Sequence, residues 1–136
     1  MQSFITAHSI HNISSFSPTH FIDCITILLD SIINHIPFVI PSSIAAIPSL
    51  LPTLNSLRST PSFLIQYSLK SSTPLFIFLS GEILTTSMLH QLQSQFPKAT
   101  FYNVYGGKRY SLFIYIKLQK LVVIVSSMNA KSLYLE

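Results

Sequence analysis

Two short runs carry the residues best placed to do chemistry. "LSGEIL" (79–84) ends an apolar run in a small-residue turn, Ser80 and Gly81, followed by the acid Glu82. "FYNVYG" (101–106) alternates apolar and aromatic residues and stops at Gly106, the pattern of a strand whose last tyrosine, Tyr105, can stack on a flat ligand. Directly after it, "GKRYS" adds two cations, Lys108 and Arg109, where an anion could be met. The alternative for Tyr105 is an ordinary core aromatic at a strand end.

Other reactive-looking residues lack the company their chemistry needs. His8, His11, His20, His35 and His90 have no Cys or carboxylate cluster beside them, so they read as solvent-exposed or capping histidines and not as a metal site. Ser80-Gly81 lacks the flanking glycines of a nucleophile elbow. Cys24 lies on an apolar helical face and reads as a small core residue.

The elements that must position these residues follow from the hydrophobic pattern. "SPTHFIDCITILLDSIINHIP" spaces Ile22, Ile25, Leu28, Leu29, Ile32 and Ile33 helically and predicts a helix over 20–34, then a strand at 38–40. "SSIAAIPSLLPTLNSL" predicts a strand remnant and then a helix from Pro48, whose φ suits a first turn. "TPLFIFLSGEIL" is the clearest strand, 75–79, and its continuous apolarity predicts burial on both faces of a parallel sheet. A helix over 85–95 and the strand "ATFYNVYG" complete a right-handed βαβ unit. Ligands in such sheets bind at the carboxyl ends of strands, where "LSGE" and "NVYG" would meet.

The chain has 136 residues, 49% of them apolar and 9% charged, with a mean hydropathy of +0.51. That charge content is low for a free-standing soluble domain, which averages about 25%. A membrane protein is the competing class, yet 21–41 contains Asp23, Asp30, His35 and two prolines, and 110–125 is broken by Lys117 and Lys120. The N-terminus has neither the basic nor the long apolar region of a secretory signal, and one cysteine makes no disulfide framework, so a cytoplasmic setting is the expectation. The net charge of +4 reflects scarce acids, and scattered bases argue against a nucleic-acid partner.

Taken together, "LSGEIL", "FYNVYG", "FIDCITILLDSIINHIPFVIP" and "IAAIPSLLPTL", in that spacing, resemble the acyl-adenylating (AMP-dependent synthetase/ligase) superfamily of acyl-CoA synthetases, peptide-synthetase adenylation domains and luciferases. Among its branches, the aminoadipate-semialdehyde-dehydrogenase-like plant acyl-activating enzymes look most similar. The resemblance implies an α/β fold, a partial three-layer sheet from a large N-terminal domain, covering 16–106, with 1–15 unassigned. It implies a vestigial adenine site: Ser80, Gly81 and Glu82 on one side, Asn103, Tyr105 and Gly106 on the other. The small turn would admit a purine, Tyr105 would stack on it, and Asn103 would offer its amide oxygen to an exocyclic amine. Asp23 would fall near the acyl pocket, or serve as an acid favoured at a helix N-terminus.

The parent reaction so implied adenylates a carboxylic acid with ATP and Mg²⁺ and then transfers the acyl group to CoA or a carrier-protein thiol. The sequence departs from it in ways that predict a truncated, catalytically incompetent chain that retains neither cofactor. Lys108 and Arg109 stand where the family pattern has Thr and a metal-binding Glu, and a cation there repels Mg²⁺. No Gly-rich phosphate loop ending in Lys is present: "SSFSPT" and "SSTP" contain no glycine. Residues 107–136 resemble no family segment, and "GGKR" is compatible with codons containing GGTAAG, a common intron start, so this tail is expected to be translated intron. A non-catalytic interaction fragment and a small membrane-associated protein remain as alternatives. Aggregation through the β-prone "LFIYI" and "LVVIV" runs is a third outcome.

Overall fold

The computed structural model describes residues 9–16, 22–105, 114–117 and 123–125. Seven strands form one sheet: β1 (Ile13–Ser15), β2 (Phe38–Val39), β3 (Ser56–Ser59), β4 (Phe76–Leu79), β5 (Thr100–Tyr105), β6 (Ile114–Lys117) and β7 (Val123–Val125). Their order is β2-β1-β3-β4-β5-β6-β7. The first five run parallel, while β6 pairs antiparallel with β5 and β7 antiparallel with β6. The α/β expectation therefore holds, and the sheet is mixed.

Register divides the side chains between two faces. Leu57, Ile77 and Phe101 are in line across β3, β4 and β5, and with Leu79 they share one cluster with Ile47, Leu51, Leu54, Leu64, Leu92 and Phe96. That face is therefore covered by α2 (Ile47–Leu50), flanked by 3-10 turns at Ile44–Ala46 and Leu51–Thr53, by α3 (Pro61–Gln66) and by α4 (Thr86–Gln95). The other face presents Phe78, Tyr102 and Val104, which pack with Ile10 and Ile36. Ile36 directly follows α1 (Ile22–Ile33), so the connection from β1 to β2 crosses on this second face. Opposite faces are what right-handed crossovers demand when one connection steps leftward from β1 and the later ones step rightward.

Local chemistry explains the element ends. α1 closes with His35 at φ +53°, with His35 N–H donating to Ile32 O and Ile36 N–H to Ser31 O, the paired bonds of a left-handed C-terminal cap. His35 is thus an exposed capping residue, as expected. α3 begins at Pro61, with the Thr60 hydroxyl accepting from Phe63 N–H at 3.3 Å, and α4 begins after Thr85, which accepts from Met88 N–H at 3.2 Å. At the amino edge Asn12 and Asn55 tie β1 to β3. Asn12 Oδ1 accepts from Asn55 N–H at 2.6 Å, and Asn55 Oδ1 accepts from His11 N–H at 3.0 Å.

Several expectations are corrected in detail. "SSIAAIPS" contains no strand: its first residues form a 3-10 turn leading into the short α2, because prolines at 48 and 52 remove two donors and interrupt a longer helix. β1, β3 and α3 were not foreseen, being only three, four and six residues long. Beyond residue 106, β6 and β7 extend the same sheet.

Candidate functional site

The carboxyl ends of the parallel strands bring together Ser15 and Phe16, Ser59 and Thr60, Ser80 to Glu82, and Asn103. The direction of winding reverses between β1 and β3, which is where an open sheet leaves a crevice. Two backbone bonds continue the ladder across this edge: Phe16 N–H donates to Arg58 O at 3.0 Å, and Ser80 N–H donates to Ser59 O at 3.1 Å.

Beneath the edge lies a buried charge. Arg58 is 3% exposed, and its Nε donates to Ser80 Oγ at 3.2 Å, with Ser80 itself 4% exposed. Ser15 is the register partner of Arg58 and is also buried, so hydroxyl-bearing residues flank the guanidinium along one sheet face. Burying a guanidinium is costly unless it is hydrogen-bonded. The Arg58 field reaches α1: burial pushes the Asp30 carboxyl above its usual range, and Arg58 works against that rise.

The turn after β4 is set by Gly81, at φ +88°. A Cβ on Gly81 would lie 3.1 Å from Thr60 Cγ2, so both the backbone conformation and the space favour glycine. This turn directs Glu82 toward α3, where its carboxylate accepts from Ser62 N–H and, at 2.9 Å, from Ser62 Oγ. Glu82 therefore holds the start of α3 instead of pointing into the crevice.

The structure thus separates the residues singled out from sequence. Ser80 is engaged by Arg58 on one face, Gly81 shapes the mouth, and Glu82 is drawn to Ser62. Asn103 is in register with Leu79 and shares the opposite face from Ser80's partner Arg58. Tyr105 ends β5, and Asp23 falls in the first turn of α1. Gly106, Lys108, Arg109, His8 and His20 lie outside the described residues. Cys24 is buried, as a core residue should be. Arg58, Ser15, Ser59 and Ser62 were missed. The one signal was the only described cation inside an otherwise uncharged stretch, "TLNSLRSTPSFL".

Among the described residues no group of three His, Cys, Asp or Glu side chains could hold a metal ion. No described helix is long and apolar enough to cross a membrane. The edge as described combines a buried cation, hydroxyls and a glycine turn.

No family model matches the chain, and no curated protein matches it. Solved structures do share its fold. CmiS6 aligns at 18% identity and TM-score 0.60, over 79% of this chain and 30% of its own. The luciferase-like enzyme from the nonluminescent mealworm Zophobas morio aligns at 18% identity and TM-score 0.62, over 79% and 28%. VinN in complex with L-aspartate aligns at 16% identity and TM-score 0.58, over 79% and 30%. The chain spans less than a third of the length of these structures.

These findings correct the family expectation. With no family or curated match, and with solved structures at 14–18% identity that share the fold alone, the chain is not assigned to the acyl-adenylating superfamily. The reading as a truncated AMP-dependent ligase, and the adenylation and AMP-binding labels that went with it, are withdrawn with that assignment. Neither the interaction-fragment nor the membrane-associated alternative gains support. The motif spacing that prompted the resemblance has a plainer source: a strand, a turn of small residues, a helix and a second strand recur wherever a parallel sheet is built from βαβ units.

Proposed function

We propose that this chain forms a small-molecule binding edge at the carboxyl ends of β1, β3 and β4, and that its ligand is a small carboxylate. The observation that carries the reading is the coincidence of the winding reversal between β1 and β3 with the buried Arg58. Glu82 is the one carboxylate at this edge among the described residues, and Ser62 already engages it. Drawn aside by Ser62, that carboxylate leaves Arg58 as the charge beneath the crevice that a ligand carboxylate would answer.

In this reading Arg58 acts through its field, held by Ser80, while Gly81 keeps the mouth open and Thr60 and Asn103 line it. VinN, which shares the fold, is seen with L-aspartate, and that makes small amino-acid carboxylates the first probes.

Titration of the labelled protein with L-aspartate, followed by amide chemical shifts, tests the proposal. Saturable shifts at 15–16, 58–62 and 79–82, with an apparent Kd of about 1 mM, are expected. The uncharged diamide should give none, and Gly81→Val should abolish the response. A folded protein showing no saturable shifts with L-aspartate, or equal shifts with the diamide, overturns the proposal.

A further inference from the structure

Glu82 and Ser62 meet at the mouth of the crevice. Both are exposed, and the Glu82 carboxylate accepts from Ser62 N–H and, at 2.9 Å, from Ser62 Oγ. The same Glu82 is joined through Gly81 to Ser80, whose hydroxyl accepts from Nε of the buried Arg58. Successive Cα atoms are about 3.8 Å apart, so the Glu82 backbone stands within about 8 Å of Ser80, a gap that a glutamate side chain turned inward largely spans. Its carboxylate therefore has two destinations. One is the pair of donors on Ser62, where it rests. The other is the crevice above Arg58, where a ligand carboxylate would be held.

We infer that Ser62 is a positioning residue for ligand binding, whose hydroxyl and N–H together keep Glu82 out of the crevice and so prevent the chain's own carboxylate from competing with the ligand's. The inference rests on the carboxylate-binding edge proposed above and names how access to it is controlled. Hydrogen bonds to an ionised acceptor are the stronger class, and two converge on this one carboxylate. Released from Ser62, Glu82 would oppose a ligand carboxylate twice, by answering the Arg58 field and by repelling a like charge. Two such charges about 6 Å apart, at an effective dielectric of about 40, repel by the equivalent of roughly tenfold in affinity.

Titration of the full chain with L-aspartate, followed at the amides of 15–16 and 58–59, tests the inference through a double-mutant cycle. Ser62→Ala removes one of the two donors with no change of charge and should weaken binding by about threefold at unchanged circular dichroism. With Glu82→Gln in place, the same Ser62→Ala change should have no effect, because no charged competitor remains to be released. Ser62→Thr, which keeps the hydroxyl, should recover the affinity. Glu82→Asp, one methylene shorter but equally charged, breaks the contact from its other end and should weaken binding as Ser62→Ala does. A purely structural role for Ser62 predicts an equal loss in both backgrounds, and that result overturns the inference. A second readout needs no ligand: the Arg58 Nε–H resonance should move on Ser62→Ala, and should not when Glu82→Gln is already present. Wild-type protein that ignores L-aspartate removes the binding edge itself, whereas an Arg58 resonance indifferent to Ser62→Ala overturns the positioning role.

Discussion

Arg58 on β3 and Ser80, the residue just after the adjacent parallel β4, meet at the carboxyl edge, Arg58 Nε donating to Ser80 Oγ at 3.2 Å with both residues almost fully buried. A charge placed there is retained only because its donors are met. Ser80→Ala removes one acceptor from a buried cation, and a loss of about 1–3 kcal/mol in stability is expected from urea unfolding. Ser80→Thr, which keeps the hydroxyl, should recover part of that loss.

Gly81 sets the turn that follows. At φ +88°, with Thr60 Cγ2 only 3.1 Å from where a Cβ would stand, Gly81→Ala is expected to cost about 1–3 kcal/mol. Thr60→Ser removes the methyl and keeps the hydroxyl that caps α3. In a double-mutant cycle it should therefore relieve the steric part of the Gly81→Ala cost and leave the backbone part, giving a nonzero coupling in denaturant midpoints.

Asp30 makes stability depend on pH in a defined direction. Burial raises its folded pKa above the 3.8 of an unperturbed carboxyl, against the opposing pull of Arg58. The folded state then binds the proton more tightly than the unfolded state. This contribution favours folding below pH 3.8 and turns unfavourable as pH rises through the folded pKa. Asp30→Asn should raise the Tm at pH 7, and the advantage should shrink as pH falls toward 3.8. An advantage that grows on acidification would show the opposite sign.

Gln95 ends α4 with its Oε1 buried and lacking a hydrogen-bond partner among the described residues. Its backbone oxygen accepts from Ser71 N–H at 3.2 Å and would be retained in a side-chain variant. Replacing an unsatisfied buried amide by an apolar group of similar length removes a desolvation penalty. Gln95→Met should be neutral or stabilising by about 1 kcal/mol in thermal unfolding, where most buried substitutions destabilise.

The long elements were legible from sequence because their residues repeat at one period over enough positions. The helix expected at 20–34 is α1 at Ile22–Ile33, the strand at 75–79 is β4 at Phe76–Leu79, and the helix at 85–95 is α4 at Thr86–Gln95. The short strand at 38–40 was legible as β2, but β1 and β3 escaped because "ISS" and "SLRS" carry no periodic signal. Their polar residues became buried only by pairing: Ser14 Oγ donates to Val39 O and Ser56 Oγ to Asn12 O, each at 2.7 Å.

The amino-acid sequence alone determined the βαβ stretch from Phe76 to Tyr105 and the glycine turn at 81, both properties of neighbouring residues and their backbone preferences. It also placed Ser80 and Glu82 on one side, and Asn103 on the other, of a site at the carboxyl ends of two neighbouring strands. Only the tertiary structure decided the hydrogen-bond partners of Ser80 and Glu82. Parallel register turns Ser80 toward Arg58, twenty-two residues earlier, and Glu82 toward Ser62, twenty residues earlier. Partners so distant are chosen by strand order, since each adjacent parallel strand is reached through an intervening crossover, and strand order is a property of the whole sheet.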